Sequence, residues 1–242
     1  MLEDLLKGEF MAQGEPFYNK VKKDFGVLMF HGLTATPYQV RELGDFLYRQ
    51  KIPNFGARIA GHATSKEDLV KTTRKDWLDS ARTAYEEFNK VYPKTMVLGF
   101  SMGGLLALNL ANEYKPAAVM ALGTPYKLNL KGNLLSMIGF HKKHPDDMVS
   151  YPGSIPLKTK YELIKLIKET HLAIKGVESP IIIVQGTADR RVSNDSPFQI
   201  YKQVKSKERK IMLLPGEQHI LLKGKYKKQV FNRLYEFILC NC

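Results

Sequence analysis

The sequence predicts an α/β fold in which a mostly parallel central sheet is flanked by helices. Short apolar runs of strand length alternate with amphipathic stretches of helical length, and the same alternation resumes after one interruption. The 242 residues are enough to bury a substantial core. With 44% hydrophobic and 25% charged residues, the composition is typical of a globular protein and excludes a disordered chain or a disulfide scaffold.

In the first half of the chain, strands follow from apolar runs and helices from capping signals. The run that ends at Gly32 is apolar, as in a strand buried on both faces. Residues 36–39 and 65–68 begin helices, the first with Pro37 at its first helical position. The predicted strands are residues 27–31, 54–59, 95–100 and 117–122. The predicted helices begin near residue 37, run from 65 to about 91, and span 102–114.

The alternation breaks after Pro125. Residues 126–178 contain no strand-like run, only two apolar helical patches at 130–140 and 157–174, with a polar loop at 142–156 between them. The alternation then resumes with predicted strands at 180–184 and 210–214 and predicted helices that begin at Ser196 and span 221–239. This pattern predicts one core domain, residues 1–125 and 179–242, with residues 126–178 inserted over one face of the sheet.

One turn has the pattern expected for a serine nucleophile. Gly99 to Gly103 reads Gly-Phe-Ser-Met-Gly, directly after a predicted strand and directly before a predicted helix. A reactive serine must project from a tight turn, and the glycines two residues before and after Ser101 leave space around it. The helix N-terminus also favours developing negative charge. Ser101 is therefore the candidate nucleophile.

The base that must activate this serine is predicted from chain order and position. Of the six histidines, His219 follows the nucleophile in a loop at the end of a predicted strand, the edge where open parallel sheets bind ligands. His141, His144 and His171 lie in the insertion and are expected to be solvated. The acid that orients this histidine should lie in the loop after the predicted strand at 180–184, and we favour Asp189. Asp195 is the alternative, although entry into the helix at Ser196 explains it well.

The remaining requirement is an oxyanion hole built from backbone N–H groups. One donor is expected from Met102, the residue after the nucleophile, and the other from Leu33, in the loop after the first strand of the set. Because only a backbone amide is needed, the Leu33 side chain is free to form a wall. His31, beside this loop, is expected to shape it through hydrogen bonds instead of taking part in the chemistry.

These segments resemble the α/β-hydrolase superfamily, and within it small bacterial carboxylesterases and monoacylglycerol lipases. The resemblance covers about residues 24–125 and 178–239 and rests on HGLTATPYQVRELGDFL, AGHATSKEDLVKTTRKDWLDSA, GFSMGG and QGTADRRVS. It implies an α/β-hydrolase fold with a small helical cap, residues 126–178, inserted after the sixth strand. It also implies Ser101 as nucleophile, Asp189 as acid, His219 as base, and Leu33 and Met102 as oxyanion donors. The family has Gly-His-Gly where this chain has Gly61-His62-Ala63, which makes His62 a residue that shapes the loop.

The resulting prediction is a serine hydrolase that cleaves carboxylic esters of short to medium acyl chains, because apolar cap residues would line its pocket. These candidates are Leu134, Leu135, Met137, Ile138, Phe140, Leu163, Ile164 and Ile167. A monoacylglycerol lipase is the alternative, and a hydroxycinnamoyl (feruloyl) esterase a more distant one. A binding protein on a hydrolase scaffold is disfavoured because the triad is complete.

The net charge of +13 is the unusual feature of the composition. More than half of it comes from residues 202–242, which hold ten lysines and arginines against three glutamates and are expected to form a solvated outer face. We expect a small-molecule ester as the partner, no nucleic acid, and at most weak membrane association. No metal, cofactor, signal peptide or membrane span is predicted; the expected location is the cytoplasm and the expected state a monomer or homodimer.

Overall fold

A seven-stranded sheet forms the centre of the computed structural model, which describes residues 1–128 and 155–242. The order across the sheet is β1-β3-β2-β4-β5-β6-β7, and every neighbouring pair is parallel except β1 with β3. The strands are β1 Phe17–Asn19, β2 Phe25–Phe30, β3 Asn54–Ala57, β4 Lys94–Phe100, β5 Val119–Leu122, β6 Ile181–Gly186 and β7 Arg209–Leu214. All six predicted strands are present, with shifted ends.

Helices cover both faces of this sheet, as the sequence predicts. The α-helices are α1 Tyr38–Arg49, α2 Lys66–Lys71, α3 Arg74–Val91, α4 Met102–Tyr114, α5 Leu157–Ala173, α6 Ser196–Gln203 and α7 Lys227–Cys240, with 3₁₀ turns at Leu2–Leu6 and Ile174–Gly176. Alternate residues of β2 point to opposite faces. Leu28 and Phe30 join the apolar layer under α2 to α6, whereas Val27 and Met29 join the layer under α1 and α7.

Two helix bounds differ from the sequence prediction. The helix expected from residue 65 to about 91 is two helices, because Thr73 and Asp76 form a second capping box: the Asp76 carboxylate accepts from the Thr73 N–H at 2.8 Å. The last helix begins at Lys227 instead of 221. Leu221 and Leu222 are buried, but they lie in the loop before the helix, so their apolar pattern reflects core packing from a loop.

Five strands, not the six implied by the resemblance, precede the insertion, because residues 1–24 contribute only Phe17–Asn19. The helix α5 connects the parallel neighbours β5 and β6 and packs on α3 and α4, with Leu163 and Ile167 buried in the shared apolar layer. Ile164 is partly exposed. We therefore assign α5 to the core layer and not to the cap. The predicted patch 130–140, including Leu134, Leu135, Met137, Ile138 and Phe140, lies outside the described residues.

Within residues 1–128 and 155–242, no helix has the length and apolarity needed to cross a membrane.

Candidate active site

Four loops meet at the carboxyl edge of the parallel strands. They follow β2, β4, β6 and β7, and they carry Leu33, Ser101, Asp189 and His219. Because parallel strands all end at this edge, residues that are far apart in the sequence come together there. The arrangement brings together the three side chains that the sequence predicts as a triad.

Ser101 occupies a strained turn between β4 and α4. Its backbone has φ 55° and ψ −117°, a conformation that L-residues rarely adopt. The turn is tight enough that a Cβ on Gly99 would overlap the backbone of Gly103, and one on Gly103 would overlap the Phe30 carbonyl. The space around Ser101 therefore depends on both glycines, as the sequence pattern predicts.

His219 connects the serine to the acid. Its Nε2 lies 3.0 Å from the Ser101 Oγ, and its Nδ1 lies 2.6 Å from the Asp189 Oδ2. An ionised carboxylate only accepts hydrogen bonds, so Nδ1 carries the proton and Nε2 is free to accept the serine hydroxyl proton. The imidazole packs against Phe100, with ring centroids 5.1 Å apart. This is the protonation pattern that a general base needs in order to accept the proton of a serine hydroxyl.

Asp189 is held by more donors than its histidine alone. The Gln185 Nε2 donates to Oδ2 at 2.9 Å, and the Arg191 and Val192 N–H groups donate to Oδ1 at 2.8 and 3.0 Å. Burial by itself raises the pKa of Asp189, but the neighbouring His219 and these backbone donors outweigh it, and the pKa falls below its usual value. The carboxylate therefore stays ionised and keeps its orientation.

Asp195, the alternative acid, lies elsewhere. It is exposed at the start of α6, and its Oδ2 accepts from the Gln199 Nε2 at 2.9 Å. This is the helix-entry role that the sequence also suggested.

His171 is likewise away from the triad, with its Nε2 2.8 Å from the Tyr126 carbonyl oxygen. His141 and His144 lie outside the described residues.

The loop after β2 is fixed by hydrogen bonds on both sides of Gly32. The Ile59 N–H donates to the His31 Nε2 at 3.3 Å, so the His31 Nδ1 carries the proton and donates to the Gly32 carbonyl at 2.9 Å. The Gly32 N–H donates to the Gln39 Oε1 at 2.8 Å. The Gly32 carbonyl and the Leu33 N–H belong to one planar peptide group and point in opposite directions. Holding the carbonyl therefore orients the Leu33 N–H.

The two predicted oxyanion donors have no other partner in the part of the chain that the structure describes. Neither the Leu33 N–H nor the Met102 N–H donates a hydrogen bond among those residues. Met102 follows the nucleophile at the first position of α4, where N–H groups have no partner within the helix. Both amides are therefore available to an incoming oxygen atom.

His62 supports the same loop from behind. Its ring lies 5.2 Å from that of His31 and edge-on to Trp77, and its Nδ1 is 3.0 Å from the Ala60 carbonyl oxygen. Burial lowers the pKa of His31 to about 3 and that of His62 to about 4, so both rings are neutral at neutral pH. Ala63, where the family has glycine, adopts the left-handed φ of 62°. The turn thus keeps the conformation that glycine would favour.

Sequence reasoning missed the role of Gln39. The pattern at residues 36–39 predicts that this side chain caps α1. In the structure, the Gln39 oxygen accepts from the Gly32 N–H instead. Pro37, expected at the first helical position, is the residue before the helix. The sequence carries no signal that separates these two roles, because a glutamine at this position is compatible with both. Only the folded loop shows which backbone N–H is within reach.

This sheet, strained serine turn and Ser–His–Asp geometry define an α/β-hydrolase. More particularly, the chain belongs to the prolyl oligopeptidase family, whose model matches residues 62–241. A thermostable monoacylglycerol lipase from Bacillus sp. (strain H-257) is 27% identical over 238 residues, which cover 94% of this chain and 95% of that protein. A carboxylesterase from Bacillus subtilis (strain 168) is 24% identical, over 89% of this chain and 92% of its own.

Solved structures share the fold at lower identity. One, from work on the metagenome-derived lipolytic enzymes LipS and LipT, superposes with a TM-score of 0.84 at 22% identity and covers 95% of this chain and 99% of its own. A monoacylglycerol lipase from Paleococcus ferrophilus gives a TM-score of 0.77 at 14% identity, over 94% of this chain and 98% of its own. At these identities the likeness concerns the fold alone.

Proposed function

We propose that this chain is a serine carboxylesterase that hydrolyses esters of short to medium acyl chains. The observation that carries the proposal is the continuous hydrogen-bond chain from the Ser101 hydroxyl through His219 to the ionised Asp189. A serine hydroxyl is a weak nucleophile unless a base takes its proton, and this chain supplies one. The curated relatives, an esterase and a lipase, support ester bonds as the target.

In the first half of the reaction, Ser101 attacks the ester carbonyl while the His219 Nε2 takes its proton. Asp189 stabilises the resulting imidazolium. The oxygen that becomes negatively charged is held by the Leu33 and Met102 N–H groups, and one such donor contributes about 3–4 kcal/mol to the barrier reduction. The imidazolium then gives its proton to the alcohol oxygen, the C–O bond breaks, and an acyl-enzyme remains on Ser101.

In the second half, water repeats the same steps. His219 takes a proton from water, the hydroxide adds to the acyl carbonyl, and the same two amides hold the oxygen. Collapse returns the proton to Ser101 and releases the acid. Every proton transfer is assigned to a residue of the chain, so the cycle needs no cofactor or metal.

Two free, exposed cysteines, Cys240 and Cys242, fit the reducing environment of the cytoplasm, which we propose as the location.

The central test compares the wild-type protein with Ser101→Ala on p-nitrophenyl butyrate. The proposal expects hydrolysis by the wild-type protein and a loss of about 10⁴-fold or more in kcat for the variant, because removal of the nucleophile leaves only residual catalysis. Melting temperatures of both proteins exclude unfolding as the cause. Full activity of the variant would contradict the proposal.

The acyl preference is tested with p-nitrophenyl esters from acetate to palmitate. We expect the highest kcat/KM among the short and medium chains. A maximum at the longest chains would overturn this part of the proposal while leaving the ester chemistry in place.

A monoacylglycerol lipase is the second candidate, because the thermostable Bacillus lipase matches nearly the whole chain. Assays of a monoacylglycerol and of p-nitrophenyl butyrate under the same conditions separate the two activities. Since the family is named for a peptidase, a Gly-Pro p-nitroanilide belongs in the same series. The proposal expects esters to be cleaved with a much higher kcat/KM than this amide.

A further inference from the structure

One cavity borders the catalytic histidine on the side of the loops that follow β6 and β7. It has a volume of about 390 Å³. Its lining includes residues 216–220, among them His219, residues 223–225 of the same loop, and the two residues after Asp189. The cavity therefore lies beside the residue that handles the leaving group, and no step described above uses it.

The lining is strongly cationic. It contains four cationic side chains, Arg190, Arg191, Lys223 and Lys225, and one acid, Glu217. The Glu217 carboxylate is turned towards backbone donors: its Oε1 accepts from the Gln218 N–H at 3.1 Å. In the described part of the chain, Glu217 forms no ion pair with Lys223 or Lys225. The charge of these two lysines is thus not neutralised by the acid of the cavity.

The two lysines lie two residues apart in the loop before α7, on either side of Gly224. Lys223 Nζ lies 5.8 Å from the centre of the Tyr38 ring, at the start of α1. Lys225 Nζ lies 4.8 Å from the Tyr226 ring centre and 3.8 Å from the point where a Cβ on Gly216 would stand. Neither ammonium forms an ion pair among the described residues. Lys227, two residues further on, is instead paired with Glu42 at 2.6 Å.

The reaction determines which part of a substrate would face this cavity. His219 gives its proton to the alcohol oxygen as the acyl-enzyme forms, so the alcohol must lie next to the imidazole. A group attached to that alcohol is then within reach of a cavity that His219 itself lines. Charged hydrogen bonds from lysine or arginine are strong when the acceptor is a phosphate or carboxylate.

We propose that this cavity binds a phosphate or carboxylate carried by the alcohol portion of the substrate, with Lys223 and Lys225 as the residues that select it. This inference rests on the proposed ester hydrolysis and adds a substrate class to it: esters of anionic alcohols. Part of the net positive charge then serves substrate selection and not solubility alone.

The test uses two esters with the same acyl chain, 1-hexanoyl-glycerol and 1-hexanoyl-glycerol 3-phosphate, and follows the release of hexanoate. The double variant Lys223→Gln/Lys225→Gln should lose at least about tenfold in kcat/KM on the phosphorylated ester, since one charged hydrogen bond is worth about that factor. Its kcat/KM on the neutral ester should stay unchanged. Lys228→Gln, which removes one positive charge on the exposed side of α7, should leave both values unchanged.

Other outcomes overturn the proposal in distinguishable ways. Equal losses on both esters would mean that the lysines support the loop, and no loss on either would mean that they select nothing. Glycerol 3-phosphate should inhibit the wild-type protein competitively and the double variant much less; no inhibition would contradict a phosphate site. A lysine effect seen only with anionic vesicles present would indicate membrane attachment instead. Failure on every ester, p-nitrophenyl butyrate included, would reject the proposed function itself.

Discussion

The proposed triad, Ser101, His219 and Asp189, and the proposed oxyanion loop, residues 31–34 after β2, occupy the same edge of the sheet but are held in different ways. Asp189 is an ionised carboxylate that accepts four hydrogen bonds, from His219, Gln185 and two backbone N–H groups. The oxyanion loop contains no charged partner: neutral His31 and Gln39 hold the two peptide groups of Gly32. The triad thus depends on a charge, and the oxyanion loop depends on the orientation of neutral groups.

This difference has a chemical reason. In the proposed reaction, the imidazolium that forms on His219 needs an opposite charge beside it. The oxyanion needs donors that are already oriented, and a fixed negative charge beside it would oppose its formation. Replacing single residues in each region should therefore give effects of different size and kind.

Asp189→Asn should cost the most. The amide keeps the size of the side chain but removes the charge and favours the wrong tautomer of His219, so kcat should fall by about 10⁴-fold. Asp195→Asn is the matched control, since this acid is exposed at α6, and it should leave kcat and KM unchanged. Measured ester hydrolysis by both variants checks the prediction. A larger loss in the Asp195 variant would mean that the alternative acid is the functional one.

Gln39→Met should have a smaller effect of another kind. Methionine keeps the side-chain length but removes the acceptor of the Gly32 N–H, so the Leu33 peptide becomes less well oriented. We expect kcat to fall about tenfold, the worth of one hydrogen bond to a buried group, with little change in KM. Tyr38→Phe, on the adjacent residue of α1, is the control. A change in KM alone, with kcat intact, would argue against a positioning role.

The buried neutral histidines should appear in the pH dependence of stability, not in catalysis. The pKa of His62 is about 4 in the folded protein, and an unfolded histidine has a pKa of about 6.5. Unfolded chains therefore bind the extra proton first as the pH falls. The contribution of neutral His62 to the free energy of unfolding is therefore complete above about pH 6.5 and is lost as the pH falls to about 4. Over this range the free energy of unfolding changes by about 1.4 kcal/mol per pH unit for each such group.

The measurement is urea unfolding of wild-type protein and His62→Asn across this pH range. The variant should be less stable at pH 7 and should lose less stability on acidification, because one proton-linked group is gone. His171→Asn, a histidine away from the pair, should keep the wild-type slope. Parallel slopes for wild type and His62→Asn would mean that His62 is not the linked group.

The meeting of Ser101, His219 and Asp189 was predictable because each of them follows a strand that the sequence reveals. Ser101 lies in a glycine pattern that only a tight strand-to-helix turn needs, and Asp189 and His219 each follow an apolar run that ends at the same sheet edge. The position of α5 was not predictable, since an apolar helical pattern reads the same in a cap and in a crossover helix of the core. The oxyanion loop's dependence on Gln39 required the folded geometry, as did the meeting of Lys223 with Tyr38.

The most direct test of the account is the site at which the protein forms its covalent intermediate. Incubation with a serine-reactive fluorophosphonate, followed by proteolysis and peptide mass spectrometry, identifies the modified residue. We expect a single adduct on Ser101 in the wild-type protein, strongly slowed labelling in His219→Ala, and no adduct in Ser101→Ala. An adduct on another serine, or labelling of Ser101 at the same rate without His219, would contradict it.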